Sequence, residues 1–257
     1  VNIAHTAFYM VAAFCIFFVT HHWGFHPIVG MLIAVPVVTL LGMVTYWIFI
    51  APIREHEAAV LIGTIALAIA LQEVMLLIFT GDYRSVPPLI QGFFTILGVK
   101  VFYQQLITLV AALVILGALR LLLMKTRLGL AIRSTAQDRE VANLMGMNES
   151  RVALYTVGIS IALAGFTGAV IVPLTIVEPF MWMHPLIMMM AVVVLGGLGS
   201  IKGSFFAAYI LGFAEAAVVF LIPMGAFLKG SVALSIMILV LLIRPEGLFG
   251  IAFEEER

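Results

Sequence analysis

The sequence is a succession of long apolar runs, each close to the length that crosses a lipid bilayer. A hydrocarbon core about 30 Å thick is spanned by ~20 residues of α-helix rising 1.5 Å per residue. Runs of that kind occupy 3–20, 28–50, 59–80, 105–124, 152–172, 182–200, 204–222 and 231–243. Backbone N–H and C=O groups in hydrocarbon must be paired internally, so the runs are helices or broken helices. A transmembrane barrel would instead need alternating strands of ~10 residues, and the sequence has no such pattern. The fold class that follows is an all-α polytopic membrane protein with about eight transmembrane or broken helices. Two runs are irregular. Run 182–200 ends in glycines, as a re-entrant piece would, and run 231–243 is short.

Composition removes the competing classes. Of 257 residues, 64% are hydrophobic and 10% charged, whereas soluble domains carry ~25% charged residues. A formal net charge of zero gives nucleic acid nothing to bind. Cys15 is the single cysteine, so there is neither a disulfide nor a cysteine zinc site. It reads as a small buried hydrophobe. Met188, Met189 and Met190 are contiguous and spread around a helix instead of lining one face. His22 and His26 have a spacing that suits a helical metal site. Trp23, Gly24, Phe25 and Pro27 around them describe an interfacial turn, and neither metal nor cofactor is expected.

The glycine-rich stretch from Gly196 to Gly203 does not open a phosphate loop, because Lys202 precedes Gly203 instead of following a glycine into Ser or Thr. Gly199 and Gly203 form a G-x-x-x-G pair that permits close helix approach, so this stretch is a packing or broken-helix element. No nucleophile elbow or dinucleotide fingerprint is present. The chain reads as a non-enzyme, and any ATP hydrolysis would belong to a separate polypeptide.

Sidedness follows from Lys and Arg, which concentrate in cytoplasmic loops. With the start of the first run inside, the inner loops carry Arg54, Lys125, Arg127, Arg133, Arg139, Arg151, Lys202, Arg244 and Arg257. The outer loops carry Arg84, Lys100 and Lys229, and Arg120 falls near an inner helix end. The outer loop 81–104 holds Val86-Pro87-Pro88 and then an apolar, β-branched stretch expected to pack on the outer face.

Loop 125–152 is the longest polar segment, and it faces the cytoplasm. From about Leu130 to Met145 it reads as one helix, with Gln137, Val141, Leu144 and Met145 on one stripe and Arg133, Asp138, Arg139 and Glu140 supplying polarity. Gly146 stands where a C′ glycine would end it, and Asn148 where a cap would start the next helix. Such a helix either rests on headgroups or seats in a groove of a cytoplasmic partner. The small residues Gly129, Ala131, Ala136 and Ala142 permit close approach by another backbone.

Charge within the bilayer costs about 2.5–3.5 kcal/mol at a helix centre. Glu73 lies inside the third run beside Gln72, and Glu215 inside the seventh. Glu73 and Gln72 face the bundle interior on a substrate route, or Glu73 is a protonated or hydrogen-bonded packing feature. Glu215 reads as packing, since Gly212 and Ala216 suggest a tight helix contact there. Glu178, beside Pro179, reads as solvated. Asn2, His5, Thr6 and Tyr9 follow i, i+3, i+4, i+7 spacing and share one face, which points at protein or at a water-filled path.

Loop 125–152 resembles the cytoplasmic coupling loop of binding-protein-dependent ABC importers. Its G-x-x-x-R…A-x-x-x-G skeleton is Gly129, Arg133, Ala142 and Gly146. The chain is more closely similar to the membrane permease subunits of branched-chain amino-acid uptake systems. That resemblance is carried by VNIAHTAFYM at the start, VVVLGGLGSIKGSFFAAYILG at 192–212 and LLIRPEGLFG at 241–250. The opening looks like the first of the two paralogous permease types. Thr6 departs from the family, which usually has glycine after the histidine.

The resemblance implies one permease domain over 1–257 containing a coupling loop at 125–152, with hydrophobic sequence expected before Val1. It implies a multi-pass protein of the inner (plasma) membrane, importing branched-chain or related small amino acids, or urea and amides. Its partners would be cytoplasmic ATP-binding subunits, a second permease subunit (paralogue or self), an extracytoplasmic substrate-binding protein and the lipid bilayer. Gly129, Arg133, Asp138, Arg139, Ala142 and Gly146 would meet the ATPase. Asn2, His5, Thr6, Tyr9, Gln72 and Glu73 are candidates for the translocation path. The alternative from a different class is an ion- or proton-coupled secondary transporter or channel using Glu73.

Overall fold

A computed structural model describes residues 2–249 other than 97, 198 and 245. Arg257, Val1, Pro245 and Gly250, which entered the charge count and the motifs above, lie outside the described residues, as does Leu198. Among the described residues, seven helices are long and apolar enough to cross a membrane, and Met183–Gly196 is a shorter apolar helix. Each run read from the sequence corresponds to one of these eight.

The chain divides into two compact units, Val1–Met181 and Trp182–Arg257. In the first, α1 (His5–His22) is central and is buried along most of its length. Against it pack α2 (Pro27–Thr45), α3 (Glu57–Phe79) and α7 (Glu149–Ile171), and α4 (Tyr103–Lys125) packs on α7. Small residues set the close crossings. Gly168 faces the Tyr9 backbone, and Gly30 faces the Ile16 backbone. Pro36 lies inside α2, and the helix widens into a π turn, Tyr46–Ile50, just before Pro52. Proline removes an i→i−4 hydrogen bond and crowds the preceding turn, and a single π turn inside an α-helix is a rare local widening of the ladder.

Two features fix the ends of this unit. Arg54 donates to the Ser150 hydroxyl at 3.2 Å, so the α2–α3 turn lies beside the start of α7. At the opposite end, Arg84 and Val177 exchange backbone hydrogen bonds of 3.1 and 2.8 Å. Arg54 and Arg151 thus gather at one end and Arg84 at the other, in keeping with the charge asymmetry of the sequence. The Arg84 guanidinium stands 5.0 Å from the Phe17 ring centroid and donates to the Phe79 carbonyl oxygen at 2.5 Å. It holds the outer ends of α1 and α3 together.

Between α3 and α4 the chain forms a hairpin, β1 (Phe93–Ile96) paired antiparallel with β2 (Val99–Phe102), with Ile96 opposite Val99. Sequence reading expected only a packed apolar stretch there. The signal for the hairpin was Gly98, whose φ of +84° suits a tight turn. Gln104 anchors the hairpin's exit, accepting from the Leu89 N–H at 3.0 Å and donating to the Val170 carbonyl at 3.4 Å.

The second unit comprises α8 (Met183–Gly196), α9 (Ile201–Leu221) and α10 (Lys229–Ile243) around Ala191, Leu195, Ala207, Leu211 and Ala233. The helices α8 and α9 cross with their backbones touching. A Cβ on Gly203 would overlap the Gly196 carbonyl, and one on Gly196 would lie 2.5 Å from the Gly203 carbonyl carbon. The sequence paired Gly203 with Gly199, and the structure corrects this. Gly199 has a φ of +82° and open space at its Cβ position, so it makes the turn while Gly196 makes the contact. Beyond α10, the chain returns to cap α8, with Leu248 and Phe249 donating to the carbonyls of Leu195 and Gly196 at 2.8 and 3.2 Å.

Gly203→Ala is therefore expected to destabilise the protein by about 1–3 kcal/mol or more, because the added carbon meets backbone that cannot repack. Gly212→Ala, which has open space around it, is expected to be neutral. Thermal melts of both variants in detergent check this.

Candidate functional site

The loop at the basic end of the first unit is built from three capped turns. Thr126 ends α4 and starts α5 (Arg127–Gln137), its hydroxyl accepting from the Gly129 N–H at 3.0 Å and donating back to the Leu122 carbonyl at 2.6 Å. The elbow is tight enough that a Cβ on Gly129 would overlap the Leu122 carbonyl oxygen and approach that of Leu123 at 2.5 Å. Only glycine fits that approach, which gives the first position of the G-x-x-x-R skeleton a physical reason.

Sequence reading expected one helix from Leu130 to Met145, and the structure breaks it. Asp138 is extended, with φ −152° and ψ 115°, and its carboxylate accepts from the Val141 N–H at 3.0 Å. It ends α5 and caps α6 (Arg139–Leu144). The signal in the sequence is an aspartate followed by Glu140 in the first turn, an N-cap pattern.

At the end of α6, Gly146 has φ +84°. Its N–H donates to the Asn143 carbonyl at 2.9 Å, and that of Met147 to the Ala142 carbonyl at 3.1 Å. These two bonds make a Schellman motif. Asn148 then caps α7, accepting from the Arg151 N–H at 3.0 Å. Arg139 and Glu149 pair at 3.6 Å across the turn. As an exposed ion pair it contributes little stability, but it holds α6 beside the start of α7.

Ala142 is buried against the unit, while Arg133 is exposed. The stripe read from the sequence is displayed to the outside, with Val141 53%, Leu144 86% and Met145 77% exposed. Behind the loop lies an open cleft of about 620 Å³, lined by residues that include Tyr46, Arg54, Gln137, Arg139, Glu149 and Thr156. The cleft thus separates part of the α5–α6 segment from the neighbouring membrane helices.

Within the membrane, the polar stripe of α1 faces other helices. His5 Nδ1 lies 3.4 Å from the Ser160 hydroxyl of α7. The Ile3 N–H donates to the Thr64 hydroxyl of α3 at 3.3 Å. Thr6 and Tyr9 are buried, and the Tyr9 side chain reaches Thr175. Asn2 is half-buried, and its Oδ1 is enclosed. Gln72 is buried on the α1 side of α3 and donates to the Glu73 carboxylate at 3.2 Å. Glu73 itself is exposed on the open side of that helix, so the two neighbours do not share a buried interior position.

In the second unit Glu215 has a partner that sequence reading missed, His184 Nε2 at 3.2 Å. The packing argument for Glu215 does not hold, since Gly212 has open space at its Cβ position and Ala216 is exposed. His26 uses its ring to cap α2, accepting from the Ile28 N–H at 3.4 Å. His21 stacks on Phe17, and His22 meets Phe18 edge to face. Among the described residues no group of three or more His, Cys, Asp or Glu is gathered for a metal.

The family described as branched-chain amino acid transport system, permease component, matches residues 1–242. The high-affinity branched-chain amino acid transport system permease protein BraD of Pseudomonas aeruginosa is 29% identical, covering 97% of this chain and 86% of that protein. The corresponding permease protein LivH of Escherichia coli is 27% identical over 97% of this chain and 85% of its own length. A probable LivH of Methanocaldococcus jannaschii is 28% identical over 99% and 84%. No solved structure matches the chain. These relatives support the transport-subunit reading and not the ion-coupled alternative, and they fit a multi-pass protein of the inner (plasma) membrane rather than an enzyme. This chain, with its apolar helices and a capped polar loop at the basic end of its first unit, is matched over residues 1–242 and belongs to the family of branched-chain amino acid transport system permease components.

Proposed function

We propose that this chain is the permease subunit of an ATP-driven importer for branched-chain or closely related small amino acids, working as one permease domain. The observation that carries the reading is the lever at 125–152. It is rigidly capped at three points, tied to α7 through Arg139 and Glu149, and displays Val141, Leu144 and Met145 outward. An exposed apolar patch on a short amphipathic helix suits a groove on a partner, here a cytoplasmic ATP-binding subunit. Gly129 sets the elbow, Asp138 and Gly146 set the ends of α6, Ala142 seats it, and Arg133 and Arg139 supply charge at its margin. Closure of the ATPases moves this lever as a rigid element and opens or shuts the path.

Cargo passes along the open side of α3. Glu73 is exposed there with Gln72 held behind it, while Asn2, His5, Thr6 and Tyr9 form the wall at the back. A carboxylate on a membrane helix is too costly to leave against lipid, so a second permease subunit, paralogous or identical, completes that face. An extracytoplasmic binding protein delivers substrate at the opposite end of the unit from the lever. The test is uptake of radiolabelled leucine into proteoliposomes holding the assembled complex. Uptake is expected only with binding protein outside and ATP inside; uptake driven by a proton or sodium gradient without ATP would overturn the reading.

A further inference from the structure

The one intramembrane histidine–carboxyl pair in the second unit, among its described residues, is His184 with Glu215. Neither residue was given a role by the lever or by the α3 path. Glu215 lies fifteen residues into the 21-residue helix α9, about 9 Å short of its last residue at 1.5 Å per residue. His184 is in the first turn of α8, so α8 begins well below the end of its neighbour. The couple is therefore inside the thickness that α9 spans, where charge is retained for a reason.

Its surroundings are one-sided. On the packed side, Leu211, one turn from Glu215, is fully buried in the core of the unit. On the other side, Gly212, three residues before Glu215, has no atom within 4 Å of where a side chain would start. The Glu215 side chain is 12% exposed and that of His184 48%. The carboxylate is thus sheltered, while the imidazole borders open space.

We propose that His184 and Glu215 form a binding site for the amino-acid zwitterion in transit, Glu215 accepting from the α-ammonium and His184 donating to the α-carboxylate. This rests on the import reading above, independently of the α3 face, and names what recognises the cargo. A zwitterion carries an anionic acceptor and a cationic donor side by side, so it can replace the His184–Glu215 contact with a hydrogen-bonding partner for each group. The apolar side chain of the cargo then lies over the cleared surface at Gly212.

The experiment is equilibrium binding of radiolabelled leucine to the purified complex of permease and ATPase, without binding protein or nucleotide, with competition by two analogues. One analogue, 4-methylpentanoate, lacks the ammonium, and the other, 3-methylbutylamine, lacks the carboxylate. In the wild type each analogue is expected to compete at least about tenfold more weakly than leucine, the scale of one lost hydrogen bond to a charged group. Glu215→Gln is expected to weaken leucine about tenfold while leaving 4-methylpentanoate unchanged. His184→Ala is expected to do the converse, weakening leucine and leaving 3-methylbutylamine unchanged. Leucine binding unaltered in both variants, or analogues that compete as well as leucine in the wild type, would overturn the site while leaving the import reading intact. ATP-dependent leucine uptake absent from the wild type would instead remove the import reading, and the site with it.

Discussion

A Gly129→Val permease is expected to reach the membrane at near-normal levels and to have lost most of its transport. The reason lies in the elbow between α4 and α5. The Gly129 Cα is so close to the end of α4 that a Cβ would overlap the Leu122 carbonyl oxygen and crowd Leu123. Those atoms are backbone and cannot rotate away, so α5 must swing out, losing the Thr126 bonds to Gly129 and Leu122. Overpacking of this kind costs about 1–3 kcal/mol or more. Because the lever lies outside the membrane helices, that cost falls on its position more than on the bundle. Leucine uptake per complex is expected to fall more than tenfold, since a 1.4 kcal/mol displacement already shifts an equilibrium by about ten. Uptake measured alongside membrane abundance checks this; a variant with wild-type uptake would show that the elbow geometry does not matter.

The second large effect is expected at the exposed end of α6. Leu144 and Met145 are 86% and 77% exposed, and nothing in this chain would be disturbed by making Leu144 polar. Leu144→Asp is thus expected to leave the thermal stability of the isolated permease within about 0.5 kcal/mol of wild type, as for ordinary surface changes. In the complex the same change is expected to cost 2 kcal/mol or more, the scale of an interface hot spot. The ATPase should then dissociate during purification. Measuring retained ATPase against permease in a pull-down, together with the melting temperature of the permease alone, separates the two effects. Loss of stability without loss of ATPase would mean that the residue belongs to the fold and not to a docking surface.

The membrane helices were legible because length and apolarity alone define them. The run at 105–124, for example, became a helix from Tyr103 to Lys125. What apolarity does not reveal is which helix is central. In lipid, α1 and α4 are both apolar, yet α1 is buried on most sides while α4 buries only Gln104. The clue in α1 was its polar stripe, since groups such as His5 and Thr6 need protein partners. Local capping signals were partly read. Gly146 and Asn148 are legible from their positions, whereas Asp138 reads as one of the polar residues of a single helix until its extended backbone shows it to be the cap of α6.

Pairs distant in sequence were not legible at all. His184 and Glu215 are 31 residues apart, and no local rule joins them. Gly203 was matched to the nearest glycine at the familiar spacing, while its real neighbour, Gly196, lies across a turn that Gly199 makes possible. The hairpin after α3 was hidden because Phe93 to Phe102 is apolar on both faces, so the period-2 alternation that marks a strand is weak.

The account rests on α6 touching a separate motor protein. Cysteine crosslinking tests this directly in the assembled complex, after Cys15→Ala removes the one cysteine of this sequence. With a short bifunctional reagent, Leu144→Cys and Met145→Cys are expected to crosslink to the ATP-binding subunit, while Tyr83→Cys at the opposite end of the unit does not. An intact, transporting complex in which neither position on α6 captures the ATPase would contradict the account.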